Sequence, residues 1–241
     1  AGGIFTNLTH DQLDYHQTFK AYLQAKQDFF GQLPAAAFAL ANLDDPNGKI
    51  MLATTKAQKK YYAIKQPADF AAKIVHNDFG GLKLELDGQP VQTKFIGTFN
   101  AYNLLAVYAA ARLLGADQAS IIKILPELEP VAGRFQSFRA ETGTVAIVDY
   151  AHTPDAVQNV LSTIQEIKAP GAKIITVIGC GGDRDRAKRP IMAQIAAAQS
   201  DLTILTSDNP RSEDPAAIIA EMQAGLTGQK EKGVVVETIV D

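Results

Sequence analysis

The chain of 241 residues has no tryptophan, only one cysteine and three methionines. Cys180 alone excludes an internal disulfide framework and fits a reducing compartment, so a cytoplasmic location is expected. At the end of an apolar run it reads as a small packing residue rather than a nucleophile. No apolar run reaches the ~18 residues that a membrane-spanning helix needs, and the first residues lack the pattern of a signal peptide. Excess positive charge is missing too: 23 Lys and Arg against 26 Asp and Glu leave a net charge of -3, which argues against nucleic acid as a partner. Two phosphate-binding signatures are absent. There is no G-x-x-x-x-G-K-[ST] loop, and Gly179-Cys180-Gly181 fails as a dinucleotide fingerprint because Arg184 stands where its third glycine belongs.

What is there describes a chain able to bury real cores, 46% hydrophobic and 20% charged, with length for about two domains. It opens in strand-like AGGIFTNLT without an initiating Met and closes in strand-like VVVETIVD, so a fragment of a longer protein is expected. Thr18 is a plausible N-cap for a helix to about Phe30, with Phe19, Leu23 and Phe30 on one stripe. Lys26 falls on that same stripe. Either its stem is buried and its head reaches water, or it is a reactive lysine beside a ligand.

Short strands follow over Ala35–Leu43, Tyr61–Ile64, Lys73–His76, Lys83–Leu86 and Val91–Phe95, with Asp87-Gly88 as a hairpin turn. His76 lies within one of them and reads as structural. Thr98–Leu114 is helical and stopped by Gly115, with Asn100 and Asn103 in its first turn. Pro126, Pro130 and Gly133 punctuate what comes next, which places a domain boundary near Val131 and divides the chain into 1–131 and 132–241.

Beyond that boundary strands alternate with helices. Val145–Asp149, Lys173–Gly179, Leu202–Thr206 and Val234–Val240 are separated by helices that start near Pro154, Pro190 and Pro215. This rhythm predicts parallel strands in an open α/β sheet, with ligands bound beyond the carboxyl ends of the strands. Three polar segments fall at those ends: Asp149–His152, Gly179–Arg189 and Asp208–Arg211. The glycines and the cations Arg184, Arg186, Lys188, Arg189 and Arg211 together read as a cradle for an anion. The run DNPR by itself is also ordinary turn chemistry, and His152 is equally part of a helix entry or a nucleotide contact.

The ordered set FTNLTHDQLDYH, AYLQAK, GTFNAYNLLAVYAA, GRF, DYAHTPDA, GCGGDRDRAKRP and DNPR resembles the Mur ligases, and among them the type that adds the third residue of the peptidoglycan stem peptide. Each segment is weak alone; their order along nearly the whole chain is specific. The resemblance implies an α/β fold: the C-terminal portion of a central ATPase domain, then a Rossmann-like domain with a mainly parallel sheet, incomplete at its end. It implies an ATP- and Mg2+-dependent amide ligase that phosphorylates the carboxylate of UDP-N-acetylmuramoyl-L-alanyl-D-glutamate and lets an incoming amine attack the acyl phosphate.

By the same resemblance His16 is a metal-binding histidine and Lys26 a lysine whose carbamate helps to position magnesium. Asn100 and Asn103 match adenine contacts, Arg134 and Asp149 contacts near the ribose, and His152 a residue near the phosphates. Arg184, Asp208, Asn209 and Arg211 match residues that hold the incoming amino acid. Arg211 favours meso-diaminopimelate over L-lysine, since a fork for the second carboxylate contributes about 1.5 to 3 kcal/mol, roughly ten- to a hundredfold. Gln12 and Gln136 depart from the family, which commonly has His and Glu there. A uridine-binding domain, the phosphate loop and the C-terminal K-G-H-E segment do not occur, so this piece alone is expected not to ligate. The alternatives are an L-lysine-adding homologue, a folylpolyglutamate synthase-like ligase and a non-catalytic degenerate module.

Overall fold

The structure is a computed structural model that describes residues 1–8 and 18–226 and the backbone of 238–239. The described residues fold into two compact units that part between Val148 and Asp149.

The first unit is built on a six-stranded sheet. Strands β1 (Gly2–Phe5), β2 (Phe38–Asn42), β3 (Gln58–Ala63) and β4 (Phe70–Asp78) run parallel, and β5 (Gly81–Leu86) and β6 (Gln89–Gln92) continue it antiparallel in the order β1 to β6. All five residues of β2 are buried because the sheet is covered on both faces. Phe38 and Leu40 join Tyr62, Leu82, Leu84 and Leu86 in the core under helix Thr98–Leu113. Ala39 and Ala41 face the other way, toward Phe5, Phe30, Met51 and Leu52.

Local chemistry sets the joints. Helix α1 (Phe19–Gly31) is capped as expected by Thr18, whose hydroxyl accepts from Ala21 N at 3.1 Å. A single-turn helix α2 (Gly48–Met51) follows β2. Asp87 and Gly88, at φ of 45° and 81°, make the two-residue hairpin turn between β5 and β6. Helix α3 (Thr98–Leu113) ends before Gly115, which takes φ 98°. Helix α4 (Gln118–Ile124) starts on Asp117, which accepts from Ser120 N at 2.9 Å.

Strand β7 (Gln136–Arg139) pairs antiparallel with β8 (Val145–Val148). This corrects one expectation: residues 145–148 form a hairpin with a strand the sequence did not announce, rather than entering the parallel sheet.

The second unit holds helix α5 (Pro154–Ile167), strand β9 (Ile175–Ile178), helix α6 (Lys188–Gln199), strand β10 (Leu202–Thr206), helix α7 (Pro215–Ala224) and β11 (Thr238–Ile239). Its strands are parallel in the order β11-β10-β9. Pro154 and Pro215 open their helices, after Thr153 and Asp214 as side-chain caps. Pro190 is instead the third residue of α6, still within the first turn where the missing N–H costs nothing. The core gathers Val157, Leu161, Ile178, Leu205 and Ile218 around Met192, Ala193, Ala196 and Ala197 of α6. The alanines bring that helix close to the sheet.

Candidate functional site

Two loops leave the carboxyl ends of the neighbouring strands β9 and β10: residues 179–187 and residues 207–214. They are interlocked. Gly182 N donates to Asn209 O at 2.9 Å, Asp183 N to Glu213 Oε1 at 2.6 Å, and Ser212 Oγ to Asp183 Oδ1 at 2.6 Å. The glycines serve this join. A Cβ on Gly182 would lie 1.8 Å from Pro210 O, one on Gly179 2.8 Å from Thr206 O, and one on Gly181 2.8 Å from Arg211 Nη1. The expectation that they let backbone approach a ligand is thus revised: they let one loop approach the other.

Arg189 locks the pair from below. It is fully buried, on the inward stripe of α6 with Met192, Ala193, Ala196 and Ala197. Its guanidinium forks onto Glu213 (Nη1–Oε2 2.8 Å, Nη2–Oε1 2.7 Å), reaches Glu221 of α7 at 2.8 Å and donates to Gly181 O at 3.3 Å. Hydrogen bonds from Arg189 and from the Asp183 N–H pull the Glu213 carboxyl down to about 2. Burial pushes the Cys180 thiol up to about 11, which accords with a packing role.

The five cations of the expected cradle therefore have different tasks. Arg189 is structural, Arg186 pairs with Glu221, and Lys188 Nζ donates to His152 O at 2.8 Å. Arg184 and Asp208 are exposed, and their side chains make no hydrogen bond or ion pair among the described residues. Arg211, in a left-handed conformation at φ 51°, donates from Nη1 to Gly182 O at 2.7 Å and keeps its other donors. Asn209 Oδ1 accepts from Arg211 N at 3.3 Å. Two guanidiniums and one carboxylate thus stay exposed on these loops, groups able to pair with carboxylates and with an ammonium.

His152 stands at the end of the first loop of this unit, exposed, with Nδ1 3.0 Å from Tyr150 O. Asp149 begins the same segment. In the first unit, Asn100 Nδ2 donates to Ile96 O at 2.8 Å and Asn100 Oδ1 accepts from Asn103 Nδ2 at 3.2 Å. Arg134 is exposed in a turn between Gly133 (φ 69°) and Phe135 (φ 48°). The buried Phe135 ring packs edge-on against Phe99 at 5.6 Å, so Arg134 comes to the end of α3 that carries the two asparagines. Gln136, the departure from the family pattern, accepts from Gly133 N at 3.1 Å and holds that turn.

Lys26 is half-buried on α1, its Nζ 5.0 Å from the centre of the Tyr22 ring. His16 lies outside the described residues. Among those described, no group of three or more His, Cys, Asp or Glu could hold a metal ion. Magnesium takes oxygen ligands and an amine offers none, so the free Lys26 side chain is not itself a ligand for that ion.

Sequence reasoning passed over one further carboxylate. Asp44 accepts from Ile64 N at 2.7 Å, Lys65 N at 2.9 Å and Tyr102 Oη at 2.9 Å, and these bonds outweigh burial and lower its pKa. Its place beside Asp45 and Pro46 is also ordinary turn chemistry, so the sequence does not set it apart.

Parallel strands with charged loops at their carboxyl ends define an open α/β unit, an architecture in which ligands bind beyond the carboxyl ends of the strands. The residues then place it more closely. Residues 1–111 match the Mur ligase middle domain, and residues 133–241 match the Mur ligase glutamate ligase domain. The chain belongs to the Mur ligase family.

It is 53% identical over 235 residues to a UDP-N-acetylmuramoyl-L-alanyl-D-glutamate--2,6-diaminopimelate ligase from Phocaeicola vulgatus, covering 98% of this chain and 49% of that protein. A solved structure of a ligase with the same name is 32% identical with a TM-score of 0.62, covering 99% of this chain and 54% of that one. The folylpolyglutamate synthase of Thermotoga maritima shares the fold at 15% identity, with a TM-score of 0.65 over 90% of this chain and 54% of that one. The chain spans about half the length of the curated relatives it matches.

Proposed function

We propose that the whole protein to which these residues belong is an ATP-dependent ligase that joins meso-diaminopimelate to UDP-N-acetylmuramoyl-L-alanyl-D-glutamate. The observation that carries this reading is the interlocked pair of loops, which leaves Arg184, Arg211 and Asp208 unneutralised on a chain 53% identical to a ligase of that name. Asp208 offers an acceptor to an ammonium group, and the two guanidiniums offer forks to carboxylates at the two ends of the amino acid. L-Lysine lacks the second carboxylate and would leave one fork without a partner. The fold is shared with folylpolyglutamate synthase, so the choice between the two rests on residues and not on architecture.

In this reading Asn100 and Asn103 contact the adenine, Arg134 and Asp149 the ribose side, and His152 the phosphates. His16 and the carbamate of Lys26 hold magnesium, which neutralises charge on the phosphoryl group in transfer. A carbamate turns the amine into two oxygen donors of the kind magnesium takes. No helix among the described residues is long and apolar enough to cross a membrane. A cytoplasmic location accords with the use of ATP.

The test is ligation by the whole protein with each amino acid as acceptor. Wild type should prefer meso-diaminopimelate to L-lysine, and Arg211→Ala should lower kcat/KM for diaminopimelate by roughly ten- to a hundredfold with little effect on ATP. Equal use of lysine by wild type, or an unchanged preference in the variant, overturns the reading.

A further inference from the structure

We propose that Arg189 and Glu213 are positioning residues for amino-acid selection: their buried fork fixes the spacing of Arg184 and Arg211, and so sets which carboxylate separation the site accepts. The inference rests on the function proposed above and adds two residues that do not touch the ligand.

Arg184 and Arg211 belong to different loops, and only a few bonds register one loop against the other. Arg189 bonds both at once, through Gly181 O in the first and Glu213 in the second. Glu213 bonds back to the first loop by accepting from Asp183 N at 2.6 Å. Asp183 in turn accepts from Ser212 N at 3.3 Å and from Ser212 Oγ, immediately beside Arg211. Each loop also contains a non-glycine residue at positive φ, Asp183 at 52° and Arg211 at 51°. Such conformations persist only where the surroundings over-determine them, and here the clasp bonds do so. The fork is largely shielded, with the Arg189 side chain 1% and the Glu213 side chain 22% exposed, while Arg184 and Arg211 are exposed to solvent. A shift of about 1 Å between two groups that must engage one ligand is enough to cost on the order of a hundredfold.

The experiment compares wild type with Glu213→Gln and Arg189→Lys in the whole protein. Glu213→Gln keeps the size and one acceptor; Arg189→Lys keeps the charge but cannot bridge Glu213, Glu221 and Gly181 O together. Expected is a rise of roughly tenfold in KM for meso-diaminopimelate and a matching fall in its preference over L-lysine. KM for ATP and kcat at saturating diaminopimelate should stay within about twofold. A merely structural role would lower activity toward both amino acids and the melting temperature together, without moving the preference; that result overturns the inference. So does an unchanged KM in Glu213→Gln, which decides the matter if Arg189→Lys fails to fold. Wild type that shows no preference for diaminopimelate overturns the proposed function and this inference with it, whereas a normal wild type with indifferent variants overturns the inference alone.

Discussion

Helices α1 and α6 each place a cation on an apolar stripe, and the two fare differently. On α1, Lys26 shares its stripe with Phe19, Leu23 and Phe30, yet it stays half-exposed over the Tyr22 ring. On α6, Arg189 shares its stripe with Met192, Ala193 and Ala196 and is fully buried. The difference is the supply of carboxylates. Glu213 and Glu221 meet Arg189 from two directions and match its planar fork, whereas Lys26 makes no ion pair among the described residues. An apolar stripe says where a side chain's stem goes; its partners decide where the charge goes.

The comparison breaks most directly at Arg189. Arg189→Met removes the charge that two carboxylates face and should destabilise the second unit by about 3 kcal/mol, read as a lower midpoint in urea unfolding. A smaller effect follows from pH. The folded state holds Glu213 near 2, below its ordinary value of 4.5, so this contribution is fully present above the ordinary value and is lost as pH falls through the folded one. Unfolding midpoints should thus decline between about pH 5 and pH 2, and less steeply in Glu213→Gln; parallel slopes would mean the pair contributes nothing. The smallest effect belongs to Lys26→Met, within about 0.5 kcal/mol of wild type in the same assay. A loss as large as that of Arg189→Met would erase the distinction drawn between the two stripes. In the whole protein the same Lys26 variant should still lose ligation, because the proposed role there is chemical.

Much of the fold is legible in the residues, since local rules and tertiary packing agree. Thr18, Asp87-Gly88 and Gly115 each do what their chemistry predicts, and the alternation after residue 150 does make a parallel sheet. Strand β7 escaped because Gln136–Arg139 is mostly exposed and carries no apolar alternation to betray it. Helix α2 is one turn long, too short for a period to register. At the site, the pairing of the glycine-rich loop with DNPR was readable from their positions at neighbouring strand ends. The purpose of the glycines was not, because a close approach leaves the same mark whether the neighbour is ligand or backbone. Arg189 was hidden by its company: within a run of cations it looked like one more ligand contact, although the spacing 189, 192, 193, 196 already put it on the buried face.

The clearance at Gly182 bears on how the proposed selectivity could be transplanted to another Mur ligase. With Pro210 O only 1.8 Å from where a Cβ would sit, DNPR cannot be grafted as a four-residue cassette onto a loop that carries a larger side chain there. The portable module is larger: both loops, the buried arginine and the acid that follows DNPR must travel together.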